Sequence, residues 1–206
     1  VSDMTIPQAI EASGLAVFTL PLILVAACAY PLAEADDQKY VRPARATMAE
    51  VLADPLLEKV MAAIPASAVD HAEDPPGLAD DAGEAVLQRL RSTSPEFAVT
   101  CRRSANRKTW AWEGKESTEG EPRSVPLRCA WFEDQSIPEW SGTLAHELAH
   151  HAGYSHEGNR RSGNECTVPH LVADALIYVA TLRSTGRATL TEDACPALKT
   201  GSAAVR

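Results

Sequence analysis

Five of the chain's six histidines fall between positions 146 and 170, and four of those five lie in one eleven-residue stretch, His146-Glu147-Leu148-Ala149-His150-His151-Ala152-Gly153-Tyr154-Ser155-His156. Its first five residues have the form HExxH. On a helix, residues four apart share a face and lie about 6 Å apart along the axis, so both imidazoles reach one tetrahedral zinc. Glu147 is then close enough to touch a metal-activated water without binding the metal itself. Zinc lowers the pKa of that water towards about 7, and a carboxylate takes its proton as it attacks a carbonyl. Leu144, Ala145, Leu148 and Ala152 supply the apolar flank that buries such a helix, and small alanines beside the ligands leave space for a substrate.

The longer pattern, HExxHxxGxxH, also fixes Gly153 and His156. At ordinary residue frequencies, five such coincidences arise by chance in a chain of this size with odds on the order of one in 10⁵. The stretch resembles the signature of the metzincin superfamily of zinc metallopeptidases. The resemblance implies that His146, His150 and His156 bind zinc, that Glu147 is the catalytic base, and that Gly153 makes the turn between ligands. It also implies an antiparallel edge strand just upstream that holds an extended peptide, and Val125 to Phe132 stands at that place. Metzincins carry a methionine turn after the third histidine, whereas this chain has no methionine after Met61.

The third ligand is the part of the site that spacing alone does not fix. If the helix ran on past Gly153, His156 would lie about 9 Å beyond His150 along the axis. A glycine readily adopts the left-handed conformation that ends a helix, and two further residues then swing His156 back. Glu165, after Asn164, is the alternative, because an Asn-Glu pair on a later helix supplies the third ligand in the related gluzincins. His151 points about 100° from its neighbour and reads as a surface or supporting residue. His170 and Asp174, four apart, are able to orient a zinc ligand from behind or to form an ordinary pair. Tyr154 and Tyr178 are candidates for stabilising a developing oxyanion.

The N-terminus points to export. Leu15 to Ala29 is a run of fifteen residues without a charge, too short for a comfortable membrane span but suited to the apolar core of an export signal. Its end, Leu24-Val25-Ala26-Ala27-Cys28, resembles the lipobox of bacterial lipoproteins, which implies a lipidated Cys28 and membrane attachment through it. The first 27 residues contain no Lys or Arg. An ordinary signal cut near Ala29 or Ala35, or a buried N-terminal helix, are the alternatives. Beyond Cys28 four cysteines remain, Cys101, Cys129, Cys166 and Cys195, an even number that fits an oxidising compartment and two disulfides. Cys101–Cys129 with Cys166–Cys195 would link neighbours, but three pairings are open. None of the four sits at CxxC spacing, which argues against a cysteine zinc knuckle.

A formal net charge of −9 argues against nucleic-acid binding, since nothing in the chain resembles the basic stripe it needs. The organisation expected is a signal-like segment over 1–33, a helical part over 34–95 and a zincin-like part over 96–206. Residues 44–64 have helical periodicity interrupted at Pro55, which reads as two short helices or one kinked helix. Asp70 to Gly83 is a loop, and Glu84 to Arg91 a short helix. Phe97 to Cys101, Thr109 to Glu113 and Val125 to Phe132 read as strands, with Trp110, Trp112 and Trp131 packing the sheet. Ser141 is the expected cap of a helix over Gly142 to Ala152, and Pro169 opens another to about Leu182. The fold class expected is α+β, a small zincin-like domain with a short, mainly antiparallel sheet, an active-site helix and a C-terminal helix. The function expected is that of an exported zinc metallopeptidase of the bacterial envelope or exterior, acting on a peptide or protein. A non-catalytic envelope lipoprotein or binding module stabilised by zinc is the alternative, and residues 34–95 are long enough to include a segment that covers the site.

Overall fold

The structure is a computed structural model that describes residues 29–31, 33–94, 98–102, 124–128, 134–156 and 161–203. Pro55 starts a helix in it instead of kinking one. Strand β1 (Ala29–Pro31) leads into α1 (Glu34–Asp36), a π-helical turn (Asp37–Val41) and α2 (Arg42–Leu52). The Asp54 carboxylate then accepts the Leu56 N–H at 2.8 Å and caps α3 (Pro55–Ala62), whose first turn has no use for the N–H that proline lacks. The periodicity over 44–64 is therefore two helices. The expected loop at 70–83 follows, and then α4 (Gly83–Ser92).

Two further strands, β2 (Ala98–Arg102) and β3 (Ser124–Arg128), complete a three-stranded sheet in the order β1-β2-β3. β1 pairs antiparallel with β2, and β2 pairs parallel with β3, Ala98 opposite Ser124. Among the described residues helices predominate and the sheet is small and mixed, so the antiparallel character expected of it is present in one pairing of two. The strand expected at Thr109–Glu113 and all three tryptophans assigned to the sheet lie outside the described residues, as do Cys129 and the apolar run up to Cys28. No described helix is long and apolar enough to cross a membrane.

The last third is built on α5 (Ile137–His151), α6 (Val168–Thr185) and α7 (Pro196–Ala203). Ser136, not Ser141, caps α5. Its side chain faces the Glu139 N–H at 3.4 Å while the Glu139 carboxylate accepts the Ser136 N–H at 2.7 Å, a reciprocal capping box with Pro138 in the first turn. Ser141 instead lies fully buried inside the helix, its hydroxyl donating to the Pro138 carbonyl at 2.7 Å. The box spends two side chains on the otherwise unsatisfied amides, so it sets the helix start five residues earlier than a lone serine suggests. α5 and α6 pack against each other closely at Gly142, where a Cβ would come within 2.3 Å of the Ile177 side chain and 3.0 Å of the Ala173 carbonyl. Leu144, Leu148, Leu171 and Leu176 are fully buried along this contact, each stabilising the fold by about 1.5–3 kcal/mol relative to exposure. Met48 of α2 and Leu87 of α4 belong to the same core.

Candidate metal centre

His146 and His150 stand one turn apart near the end of α5, with their Nε2 atoms 3.2 Å apart. The helix ends where the sequence says it should. Gly153 has φ +100°, a conformation that L side chains rarely adopt, and the chain reverses there. The Tyr154 N–H donates back to the Ala149 carbonyl at 3.1 Å. This reversal brings His156 against His146, Nε2 to Nε2 at 3.1 Å, and its ring centroid 4.9 Å from that of His150. His146 is thus met nitrogen to nitrogen by both His150 and His156.

The reversed turn is held from outside by the 70–83 loop. The Ser155 N–H donates to Asp74 Oδ1 at 2.5 Å, and Asp74 Oδ2 takes His71 Nδ1 at 2.8 Å. The Tyr154 hydroxyl donates to Asp81 Oδ2 at 2.6 Å, and His71 Nε2 meets the Asp81 carbonyl at 2.9 Å. The Asp74 side chain has no solvent exposure and that of His71 only 7%, so these bonds are made in a dry setting where they bind strongly. Asp74 is a positioning residue for His156. None of His71, Asp74 or Asp81 was singled out from the sequence, where they stand in an acidic loop of ordinary composition. Tyr154 is buried with its hydroxyl committed to Asp81, and burial followed by that bond pushes its phenol pKa up. It faces the loop and not a substrate.

A fourth histidine joins the cluster. His170, in the first turn of α6, has its ring centroid 4.7 Å from that of His146 and 5.0 Å from that of His156. One ring nitrogen from each of His146, His156 and His170 falls within 4.8 Å of the others. His150 enters the cluster through His146 and His156. The expected His170–Asp174 pair does not form, because Asp174 is bound to Arg161, which also holds Asp193 at 2.7 Å. Burial raises the Asp174 pKa despite that partner. Glu165 is turned into its own loop, both carboxylate oxygens lying 3.0 Å from the Gly163 N–H. Glu147 is buried on α5, 4% exposed.

The donor chemistry fits a metal ion. Burial, then the neighbouring His150, His170 and His156, hold His146 well below the usual histidine range, so it is neutral. Burial, then His156 and Arg161, push His170 down to about 4. His146 also bonds to the Pro169 backbone, which has no N–H, so the Pro169 carbonyl accepts and the His146 ring donates. His150 Nδ1 donates to the Tyr154 carbonyl at 3.0 Å. The Nε2 atoms of His146, His150 and His156 meet one another at His146, at 3.2 Å and 3.1 Å. Two imidazoles on one tetrahedral zinc, at Zn–N of about 2.0–2.1 Å, have their nitrogens about 3.3–3.4 Å apart. The observed 3.1 and 3.2 Å separations are close to that value.

Of the two cysteine pairs considered, Cys166–Cys195 is a disulfide. It ties the residues before α6 to those before α7, and the Asp70 N–H bonds to the Cys166 carbonyl at 2.9 Å, linking the 70–83 loop to the same point. A surface cleft lined by Thr47, Glu50, Asp54, Pro55, Arg183 and Ser184 opens at the opposite end of α6, ~20 Å by helical rise from His170. It holds none of the residues of the histidine cluster. No family model, curated protein or solved structure matches this chain.

Proposed function

We propose that this chain is a zinc-dependent hydrolase of peptide or similar amide bonds, a zincin with a metzincin-like motif. The observation that carries the reading is the convergence of His146, His150 and His156, delivered by one helix and one left-handed glycine turn. His146, His150 and His156 hold the metal. Zinc there supplies Lewis acidity, acidifying a water and polarising a carbonyl. Glu147, one residue from His146, accepts the proton of the attacking water and returns it to the leaving amine. The hydrogen bonds to Pro169 and Tyr154 orient the rings of His146 and His150, as supporting shells do in metal sites. An exported setting, with a peptide or protein as substrate, is supported by the Cys166–Cys195 bond, which an oxidising compartment favours.

A second reading, a non-catalytic envelope protein or binding module stabilised by zinc, is favoured by the presence of His170 beside the other three, since structural zinc sites take four protein donors. Metal analysis and hydrolysis of a broad peptide panel separate the readings. The hydrolase reading expects about one zinc per chain, lost in the His146→Ala, His150→Ala double variant, and cleavage by wild type. Zinc at full occupancy in that double variant sinks the site. Zinc in wild type without cleavage of any substrate supports the structural reading.

A further inference from the structure

We propose that His170 is a fourth protein donor to the metal, so that the resting centre is closed by four histidines and His170 must yield its place before hydrolysis. The inference rests on the metal reading above and adds a residue from outside the HExxHxxGxxH stretch. His170 arrives on a different element, the first turn of α6, yet its ring lies 4.7 and 5.0 Å from those of His146 and His156. Those separations match the 4.9–5.1 Å found among the three motif histidines themselves. Its Nε2 is buried and has no hydrogen-bond partner among the described residues. A buried nitrogen left in that condition is costly, and a bound cation is the partner that removes the cost.

The surroundings hold His170 where it is. Thr167 forms a bridge with Asp70, Cys166 is tied to Cys195, and Pro169 accepts the hydrogen bond from His146. Asp174, the side chain one turn along α6 that would ordinarily satisfy an imidazole, is occupied by Arg161. The start of α6 is therefore anchored on three sides, with a ring nitrogen of His170 within 4.8 Å of ring nitrogens of His146 and His156. A tetrahedral zinc with four nitrogen donors has no position for water. The centre is latent in that state, and loss of His170 opens it.

The test uses the full chain loaded with cobalt(II) in place of zinc and titrated with azide, a small anion that binds only an open metal position. Wild type is compared with His170→Ala and His170→Gln, each verified as folded by circular dichroism. The visible cobalt bands are expected to differ between wild type and both variants. The variants respond to azide at about a tenth of the concentration that wild type needs, or less, and their zinc affinity falls about 10–100-fold. Identical bands and identical azide response in all three proteins overturn the proposal. If His146→Ala abolishes cobalt uptake while the His170 variants behave as wild type, the metal reading stands and this proposal alone fails. Failure of wild type to take up cobalt or zinc overturns both. Should neither variant fold, nitrogen NMR of cadmium-loaded wild type counts the imidazoles coupled to the metal, and four support the proposal where three overturn it.

Discussion

His146 and His150 reach the cluster along one helix, whereas His156 and His170 reach it from a turn and from a second helix. The first pair depends on local geometry alone, because any stable α5 sets two residues four apart on one face. The second pair depends on a left-handed glycine, on the buried Asp74 and His71 side chains of a loop more than seventy residues upstream, and on the packing of α6 against α5. The centre is robust where α5 alone builds it. Changes on the loop should leave the α5 pair aligned and misplace His156, so that metal is held less tightly without the fold being lost.

The largest effect expected is on chemistry. Glu147→Gln keeps the helix and all four imidazoles and removes the base, so hydrolysis should fall about 10²–10⁴-fold while zinc content stays at the wild-type value. Measuring both quantities on one preparation keeps the α5 pair as an internal control. An active Glu147→Gln protein overturns the assigned mechanism. Next in size is the disulfide. Cys166 and Cys195 are 29 residues apart in sequence, and closing a loop of that length stabilises a fold by about 3–4 kcal/mol in the chain-entropy picture. The double variant Cys166→Ser, Cys195→Ser should lose about that much in urea unfolding, and it should weaken zinc binding through the start of α6. Unchanged stability would show that the staple constrains little.

Asp74 tests the comparison most directly. Asp74→Ala removes the acceptor of both the Ser155 N–H and His71, and zinc affinity should fall about 10–100-fold as the His156 turn loosens. Asp74→Asn, which keeps one carbonyl acceptor for Ser155, should lose less. An Asp74→Ala protein with wild-type zinc affinity would mean that the turn stands on Gly153 and Tyr154 alone, and the division between the two pairs would be weaker than drawn.

The same division explains what the sequence made legible. The HExxH pair, the glycine turn, the α6 span and the break at Pro55 were readable because each is a local rule expressed by neighbouring residues. Ser141 was misread because the competing signal, Ser136 with Glu139, lay just before the apolar periodicity began. His170 was readable only as a supporting residue, since its place beside His146 comes from the close α5–α6 contact that Gly142 permits. Asp74 and His71 carried no signal at all, because a charged loop becomes a buried brace only once the turn it grips has formed. α7 escaped notice because Pro196–Ala203 has little apolar periodicity of its own and is held by packing, Leu198 being fully buried.

The smallest effect lies at the far end of α6, where metal plays no part. Arg183 Nη2 reaches Asp54 Oδ2 at 2.5 Å, and Asp54 also caps α3. Burial alone would raise the Asp54 pKa, but the Arg183 hydrogen bond, the Leu56 N–H and the Arg183 charge outweigh it and hold the carboxyl below its ordinary value. A carboxyl depressed in the folded state contributes stability that is complete above the unfolded pKa, about 3.9, and is lost as pH falls through the folded value. Asn is as good a cap as Asp, so Asp54→Asn removes the charge and keeps the cap, whereas Asp54→Ala removes both. With Arg183 well exposed, the pair is screened and its share is at most about 1 kcal/mol. The gap in urea stability between wild type and Asp54→Asn should therefore be present at about pH 6 and close towards about pH 2. Asp54→Ala should keep a residual deficit of about 1 kcal/mol at both, from the lost cap. Zinc affinity should not move in either variant. A gap for Asp54→Asn that stays constant across that pH range would show that the Arg183 pair is electrostatically idle, and a shift in zinc affinity would show that the two ends of α6 are coupled after all.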